Sequence, residues 1–355
     1  MSKRYPYNQL RRFLVNYFEI QGFSAVNSNK IAHTLLDADV RGIPSHGIQR
    51  LPMYDKKLAN HDIIPNQQGE VVYSTAISAV IDGKLGMGQL IALNAMELAI
   101  KKAKLTGIGI VSVRASNHFG AAGYYSRLAS RLGLIGVSMT NTNPLIVPTN
   151  AKNAFLGSNP LAVAFPAVPY DFVFDAATSS VSLGKFEIYH KQGKKISGEW
   201  AIDGMGHIIR NPQEVLDSMA VKERKGGILP IGGLGEINSG YKGYGLALLV
   251  EIFTSILSQG AISRDIATDG VSHFFVAIDP KIFVEEQIIK QNLAQLLKEI
   301  RQLSPIDVEK AVRVPGDREE MERKNSIKYG ILLEEEIIKD LRQLANQYHI
   351  PFNIS

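Results

Sequence analysis

The chain reads as an α/β protein in which a sheet-bearing middle is flanked by helical ends. Apolar residues recur at helical spacing up to about residue 70 and again beyond Pro280. Between them, short β-branched runs alternate with helical stretches, the rhythm of a layered α/β unit. No glycine cluster in that middle matches G-x-G-x-x-G, which argues against a standard Rossmann domain. The expected organisation is a discontinuous helical domain, 1–70 with 281–355, around an α/β domain spanning 71–280.

Taken in order, Ile31, Leu35, Leu36 and Val40 predict a helix, with Asn27 to Asn29 as caps and Gly42 as its stop. A second helix is expected after Pro44, carrying Ile48, Leu51 and Tyr54 on one side. VVYSTAISAVIDG predicts one or two strands. Leu90, Leu93, Ala95, Met96 and Ile100 predict a helix over 89–105, ended by Gly107. IGIVSV then reads as a strand, RASNHFG as a loop, AAGYYSRLASRLG as a helix and IGVSMT as the next strand. LAVAF, FVFDA and HFFVAID are three further buried strands. YGLALLVEIFTSILSQ is a strongly apolar helix expected at the centre of the core. Helices follow around 284–301 and 333–347.

The 355 residues are 45% hydrophobic and 21% charged, enough for one large core or two smaller ones. There is no cysteine, which excludes disulfides, thiolate metal sites and cysteine nucleophiles. The opening MSKRYPYNQLRRFLVNYF lacks the apolar region of a signal peptide, and no stretch approaches a membrane span, so a soluble cytoplasmic protein is expected. The net charge is +5, but the basic residues form no aromatic-interleaved stripe. Lys101, Lys102 and Lys104 read as a solvated helix face, and Lys222, Arg224 and Lys225 are interrupted by Glu223. Small anions fit this balance better than nucleic acid. There is no G-x-S-x-G and no HExxH, and the eight histidines lack metal-ligand spacing, so no metal is expected.

Four segments can carry chemistry. In SHGIQR, a helix starting at Ser45 would place His46 and Arg50 on one face; imidazole can move a proton and guanidinium can grip a carboxylate. A capping Ser45 with a surface His and Arg is the alternative. In SNHFG, His118 lies between a strand and a helix start, where backbone N–H groups favour anions. In GSNPLAVAFP and FVFDAATSSVSLGK, small residues end two strands, and Asp175 and Thr178 can bond hydroxyl or amide groups, though ordinary turn chemistry also uses such residues. In SGYKGYG, Lys242 sits near a helix N-terminus, which a bound phosphate or carboxylate would relieve; a Lys pointing to solvent is the bland reading.

Together these segments resemble the type-2 malate/L-lactate dehydrogenase family, whose relatives include ureidoglycolate, sulfolactate and diketogulonate enzymes and an imine reductase. The matching stretches are ADVRGIPSHGIQRLPMY, SNHFGAAGYY, SMTNTNPLIVPT, LGSNPLAVAFP, DAATSSVSLGKFEIY, EWAIDGMG, GYKGYGLALLVEI, HFFVAID and VPGDRE, in order from about residue 38 to 318. The resemblance implies hydride transfer between NAD or NADP, NAD favoured, and a small 2-hydroxy acid or its 2-oxo acid. It implies a non-Rossmann NAD(P)-binding sheet domain, a helical second domain and a homodimer. It places the substrate near Ser45, His46, Arg50 and Ser158. It places the cofactor near His118, Phe119, Gly120, Ala121 and Ala122, near Thr142, near Asp175, Ala176 and Ala177, and near Lys242, Gly316, Asp317 and Arg318. Both His46 and His118 stand as proton carriers, with Ser45 beside them. Gln192 replaces the acidic residue that the imine-reductase branch has before the glycine at Gly193, which argues against an imine substrate. The diketogulonate branch lacks the GYKGYG pattern, although ANHDIIP resembles it. IGGLGEINSGYKGYG is nearest the malate-type members. A catalytically silent nucleotide-binding homologue is the other class of reading; the presence of His46, His118 and Lys242 weighs against it.

Overall fold

The computed structural model describes residues 2–220 and 224–354; Lys222 and Glu223 of the broken charge run lie outside them. The chain opens with strand β1 (Ser2–Tyr5) and helices α1 (Tyr7–Ile20) and α2 (Ala25–Val40). The cap of α2 is Ser24, whose Oγ accepts Asn27 N–H at 3.3 Å, rather than Asn27 to Asn29, which already lie in the first turns. Gly42, at φ +71°, follows its end as expected.

The single helix expected after Pro44 is broken. Two 3₁₀ turns, Pro44–His46 and Ile48–Arg50, precede α3 (Leu51–Ala59). Between them Gly47 is extended and pressed onto Asp39, whose Oδ1 would lie 2.0 Å from a Cβ there. Asp39 Oδ2 accepts Ile48 N–H at 2.8 Å, so the carboxyl replaces a helical acceptor. Ile48, Leu51 and Tyr54 are nonetheless all fully buried.

Next come β2 (Glu70–Ser74), β3 (Ser78–Asp82), α4 (Gly88–Thr106), β4 (Ile108–Ser116), α5 (Ala122–Ser130), β5 (Ile135–Thr140), β6 (Leu161–Phe165) and β7 (Phe172–Ala176). A smaller lobe holds α6 (Leu183–Lys191), β8 (Ala201–Ile202), α7 (Pro212–Ala220) and β9 (Gly227–Ile228). Then follow α8 (Gly240–Glu251), α9 (Ile266–Asp269), β10 (Val271–Ile278), α10 (Glu286–Arg301), α11 (Asp317–Tyr329), β11 (Ile331–Glu334) and α12 (Glu335–Gln347).

The central sheet has seven strands in the order β2-β3-β4-β10-β5-β6-β7, with only β3 and β4 paired parallel. The strand–helix–strand unit β4-α5-β5 is there, but β10 inserts between its strands, antiparallel to both. Glycines let the helices lie close on the sheet. A Cβ at Gly109 would meet Ala99 O of α4 at 1.9 Å, and one at Gly136 would meet Ser126 O of α5 at 2.1 Å. These helices and Val111, Val113 and Phe275 of the sheet form one core. A second core joins both chain regions: Leu10, Phe18, Leu35 and Tyr54 pack with Ile331, Leu341 and Leu344, and β1 pairs with β11.

Two expectations are corrected here. Lys102 is buried, not solvated, its Nζ donating to Thr75 O at 2.6 Å. The apolar segment after Gly240 is not central to the core. Its inward face is Gly243, Ala247, Glu251, Thr254, Ser255 and Ser258, whereas Leu246, Leu249, Ile252, Ile256 and Leu257 are exposed. Along this helix, which runs into a π turn over Ile252–Ile256, Ala247 packs on Ile146 and Leu156 while Glu251 and the Ala247 carbonyl meet the side-chain amide of Asn159, so the inward face is small and polar for much of its length.

Candidate active site

The register of the sheet gathers loops at one end. Thr140 at the end of β5 pairs with His273 near the start of β10, and Val271 pairs with Ser116 at the end of β4. Leu161, opening β6, lies between Met139 and Ala176. Residues 117–122, 141–142, 157–160 and 177–180 therefore leave the same edge.

Onto that edge the turns after α2 deliver Ser45, His46 and Arg50. The His46 and His118 rings stack with centroids 5.7 Å apart and planes 20° from parallel. Ser45 Oγ is 2.9 Å from His46 Nδ1. Arg50 reaches the pair by a route other than a shared helix face: its Nε donates to Ser45 O at 2.5 Å. Behind His118, Tyr54 Oη lies 2.6 Å from Nδ1 and accepts from Gln89 Nε2 at 2.7 Å. With Gln89 donating, the satisfying arrangement has Tyr54 O–H pointing at His118 Nδ1, which leaves that ring's hydrogen on Nε2. Asn117 is clamped by Lys57 Nζ at 2.9 Å and by the carbonyls of Asp62, Leu85 and Gly86.

Both histidines are held neutral. Burial, then Arg50, pushes His46 down to about 4. Burial pushes His118 well below its usual value, with His46, Arg50 and Lys57 adding to the shift. Both residues are half-buried as a whole, so the shifts express protein packed around the rings on most sides rather than complete enclosure of the residues. Neutral imidazoles beside two cations suit an anionic ligand that must lose or gain a proton.

The other expected residues fall into separate groups. Gly120 has φ +86° and sits 3.8 Å (from its would-be Cβ) from His46 O. Ala121 is the N-cap of α5 and has no side-chain acceptor of its own; the carboxyl of Asp175 caps the first turn in its place. Phe119 is buried. Asp175 Oδ2 accepts Gly123 N–H at 2.7 Å, tying Asp175, Ala176 and Ala177 to this loop. Thr142 Oγ1 accepts Ser158 N–H at 2.9 Å, and Ser158 O accepts Thr178 N–H at 2.9 Å. Lys242 is exposed, its Nζ 5.8 Å from the Tyr241 ring centre. Gly316 packs against Asp171 and Val173. Asp317 is occupied by Arg301, at 2.7 and 3.0 Å, and by Tyr170 at 2.7 Å, while Arg318 is exposed. Among the described residues, no hydrogen bond or ion pair joins Lys242 or Arg318 to the histidine cluster, and no group of three His, Asp or Glu could hold a metal ion.

Comparison with known proteins now decides the family. The malate/L-lactate dehydrogenase profile matches residues 5–342. The chain belongs to the malate/L-lactate dehydrogenase family. It is similar to the malate dehydrogenase of Pyrococcus horikoshii, 36% identical over 97% of this chain and 95% of that one. It is similar to the L-sulfolactate dehydrogenase of Methanocaldococcus jannaschii, 35% identical over 96% of each. The solved malate dehydrogenase of Entamoeba histolytica superposes with a TM-score of 0.95 at 30% identity, over 99% of this chain and 100% of that one. More distant members, at 27% and 28% identity, are a ureidoglycolate dehydrogenase and a 2,3-diketo-L-gulonate reductase of Escherichia coli. A 2-hydroxy-acid dehydrogenase fits all of them. In this family member, Tyr54, Gln89, Asp39 and Lys57 are site components that sequence reading missed. A tyrosine in a helix that is otherwise core must place its hydroxyl somewhere, and that was the available signal. No helix among the described residues is long and apolar enough to cross a membrane.

Proposed function

We propose that this chain interconverts a malate-type 2-hydroxy acid and its 2-oxo acid with NAD or NADP, NAD favoured. The observation that carries the reading is the stacked, neutral His46–His118 pair flanked by Arg50 and Lys57. Two cations suit an acid with a second anionic group, as malate and sulfolactate have. The loop His118 to Ala122, with its left-handed Gly120 leading into α5, is the proposed cofactor segment, with Thr142, Asp175 to Ala177, Lys242 and Gly316 to Arg318 as the further cofactor residues. Ser158 and Arg50 hold substrate. The bound nicotinamide supplies the hydride chemistry. Arg50 grips the carboxylate and orients the reacting carbon; His46, with its Nδ1–H turned to Ser45, can take the hydroxyl proton on Nε2, whereas His118, held by Tyr54 with its hydrogen on Nε2, can supply a proton to the oxygen when the 2-oxo acid is reduced.

The sheet serves as a non-Rossmann cofactor layer, 71–280, and the helical domain, 1–70 with 281–355, covers the substrate. The enzyme is cytoplasmic and needs neither nucleic acid nor membrane. The outward face of Leu246, Leu249, Ile252, Ile256 and Leu257 is apolar surface that a second copy would bury, supporting a homodimer. Leu249→Asp should then yield monomers on sedimentation.

Steady-state nicotinamide absorbance with malate, lactate, sulfolactate and ureidoglycolate, using both cofactors, tests the reading. His46→Asn and His118→Asn should bind cofactor nearly normally and lose roughly 10²–10⁴ in kcat, the usual worth of a general acid/base. Failure of the wild type on every acid would overturn the proposal; one histidine variant with wild-type kcat would assign the proton to the other.

A further inference from the structure

We infer that His273, a buried histidine of the central strand, is the positioning residue that sets the orientation of His118; its bearing on turnover rests on the function proposed above. His273 is fully buried. Its Nδ1 lies 2.8 Å from Thr140 Oγ1 and its Nε2 lies 2.9 Å from Ser116 Oγ, so one ring ties together the ends of β5, β10 and β4. Its face stacks on Phe119, the neighbour of His118, with centroids 4.5 Å apart and planes 5° from parallel.

The backbone is bent to make this contact. Between Val271 and His273 the register on β4 slips, Val271 facing Ser116 and His273 facing Val113. Ala115, within the slip, takes φ +49°, a left-handed conformation disfavoured for a residue with a Cβ. The bulge brings Ser116 Oγ to His273 and starts the turn that leads to His118. Strained backbone held by surrounding contacts is a mark of functional sites.

The hydrogen bonds also assign the tautomer. Thr140 Oγ1 has two carbonyl acceptors, Asn141 O at 3.0 Å and Ser272 O at 3.1 Å, so its one hydrogen is committed to them. With that hydrogen on a carbonyl, Thr140 Oγ1 accepts from His273 Nδ1–H; the backbone of Asn117, whose hydrogen bond to the ring favours a protonated nitrogen, is the competing partner that would draw the hydrogen to Nε2. With the hydrogen on Nδ1, Nε2 is the acceptor and Ser116 O–H the donor. Phe119, stacked on this fixed ring and with its carbonyl holding Tyr125 O–H at 2.5 Å, gives His118 one backbone origin; Tyr54 fixes the other end of the His118 ring.

The test is imidazole ¹⁵N NMR of the full-length protein together with kinetics. Wild type should show His273 as the Nδ1–H tautomer. Thr140→Ala removes the acceptor at Nδ1 and should move the hydrogen to Nε2. His273→Phe keeps the stack and loses both bonds; it should shift the His118 ring signals and lower kcat at least tenfold while cofactor Kd changes little. His273→Asn can still donate to Thr140 and should recover part of that kcat. An Nε2–H tautomer in wild type, or His118 signals and kcat both unchanged in a folded His273→Phe, would overturn the inference. Because the NMR arms need no turnover, a wild type inactive on every acid would sink the proposed function and leave this inference to be judged on the His118 signals.

Discussion

Tyr54 and His118 share a 2.6 Å hydrogen bond that couples the helical core to the sheet, for Tyr54 belongs to the first and His118 to a loop leaving the second. Removing the hydroxyl leaves His118 Nδ1 and Gln89 Nε2 without their shared partner. Tyr54→Phe should therefore destabilise by about 1–3 kcal/mol, the cost of unsatisfied buried polar groups. It should also lower kcat, since His118 is freed to turn. Urea unfolding and steady-state kinetics on the same preparation check both.

Arg50 is the guanidinium proposed to hold the substrate carboxylate. The alternatives are engaged: Arg41 Nε lies 3.2 Å from Asp37, and Arg114 Nε lies 3.2 Å from Asp82. Arg50→Lys should raise KM and lower kcat, with a loss of roughly 10–150-fold in kcat/KM, equivalent to one charge-assisted hydrogen bond of about 1.5–3 kcal/mol. Methyl esters of the 2-oxo acids should show no such loss. An equal loss on acid and ester would remove Arg50 from carboxylate recognition.

Gly47 has no room for a side chain above Asp39. Gly47→Ala should displace the turn that carries His46, costing about 1–3 kcal/mol as overpacking does and reducing kcat more than cofactor affinity. Fluorescence titration with NADH and a thermal melt separate the two effects.

The buried ionisable groups give stability a defined pH dependence. Burial lowers His46 to about 4 and His273 to about 3, below the 6.5 of a free histidine. The folded state then binds fewer protons than the unfolded one, so this contribution is full above about pH 6.5 and is lost as pH falls toward 3. Asp39 has the opposite sign. Burial raises it to about 8, so its contribution is full below about pH 3.9 and is lost as pH rises to about 8. Asp39→Asn removes that loss: the stability of the variant relative to wild type should grow from pH 4 to pH 8 in urea titrations. A flat difference would mean that Asp39 is ionised in the folded protein at neutral pH.

Most strands of the sheet were legible as short β-branched or apolar stretches bounded by turn residues, β2 and β3 as one or two strands without a boundary, and Gly107 and Gly42 marked helix ends through their left-handed backbone. The four-residue strands β1 and β11 were not legible, since each is defined only by a distant partner. Nor was the orientation of α8: an apolar sequence does not say that Glu251 faces inward and Leu249 outward. In the site, His46, Arg50 and His118 were legible as residue types in motifs. The helical spacing offered for His46 and Arg50 failed because Gly47, locked over Asp39, interrupts the helix. Tyr54 and His273 were hidden by reading as ordinary core positions.

The pairing of β1 with β11 also sets an order of events during synthesis. Arg4 donates to Gly330 O at 2.7 Å across 326 residues of chain, and α1 and α2 bury their faces partly against α12 and β11. A ribosome adding residues one at a time exposes the first two helices long before those partners exist, while all seven strands of the sheet emerge in between. The sheet can collapse on α4 and α5 without them; α1 and α2 can pack on each other and on α3, but the part of their apolar surface that meets β11 and α12 stays uncovered until those are made. This stretch of the nascent chain is therefore where a chaperone that holds apolar helices would find most to bind.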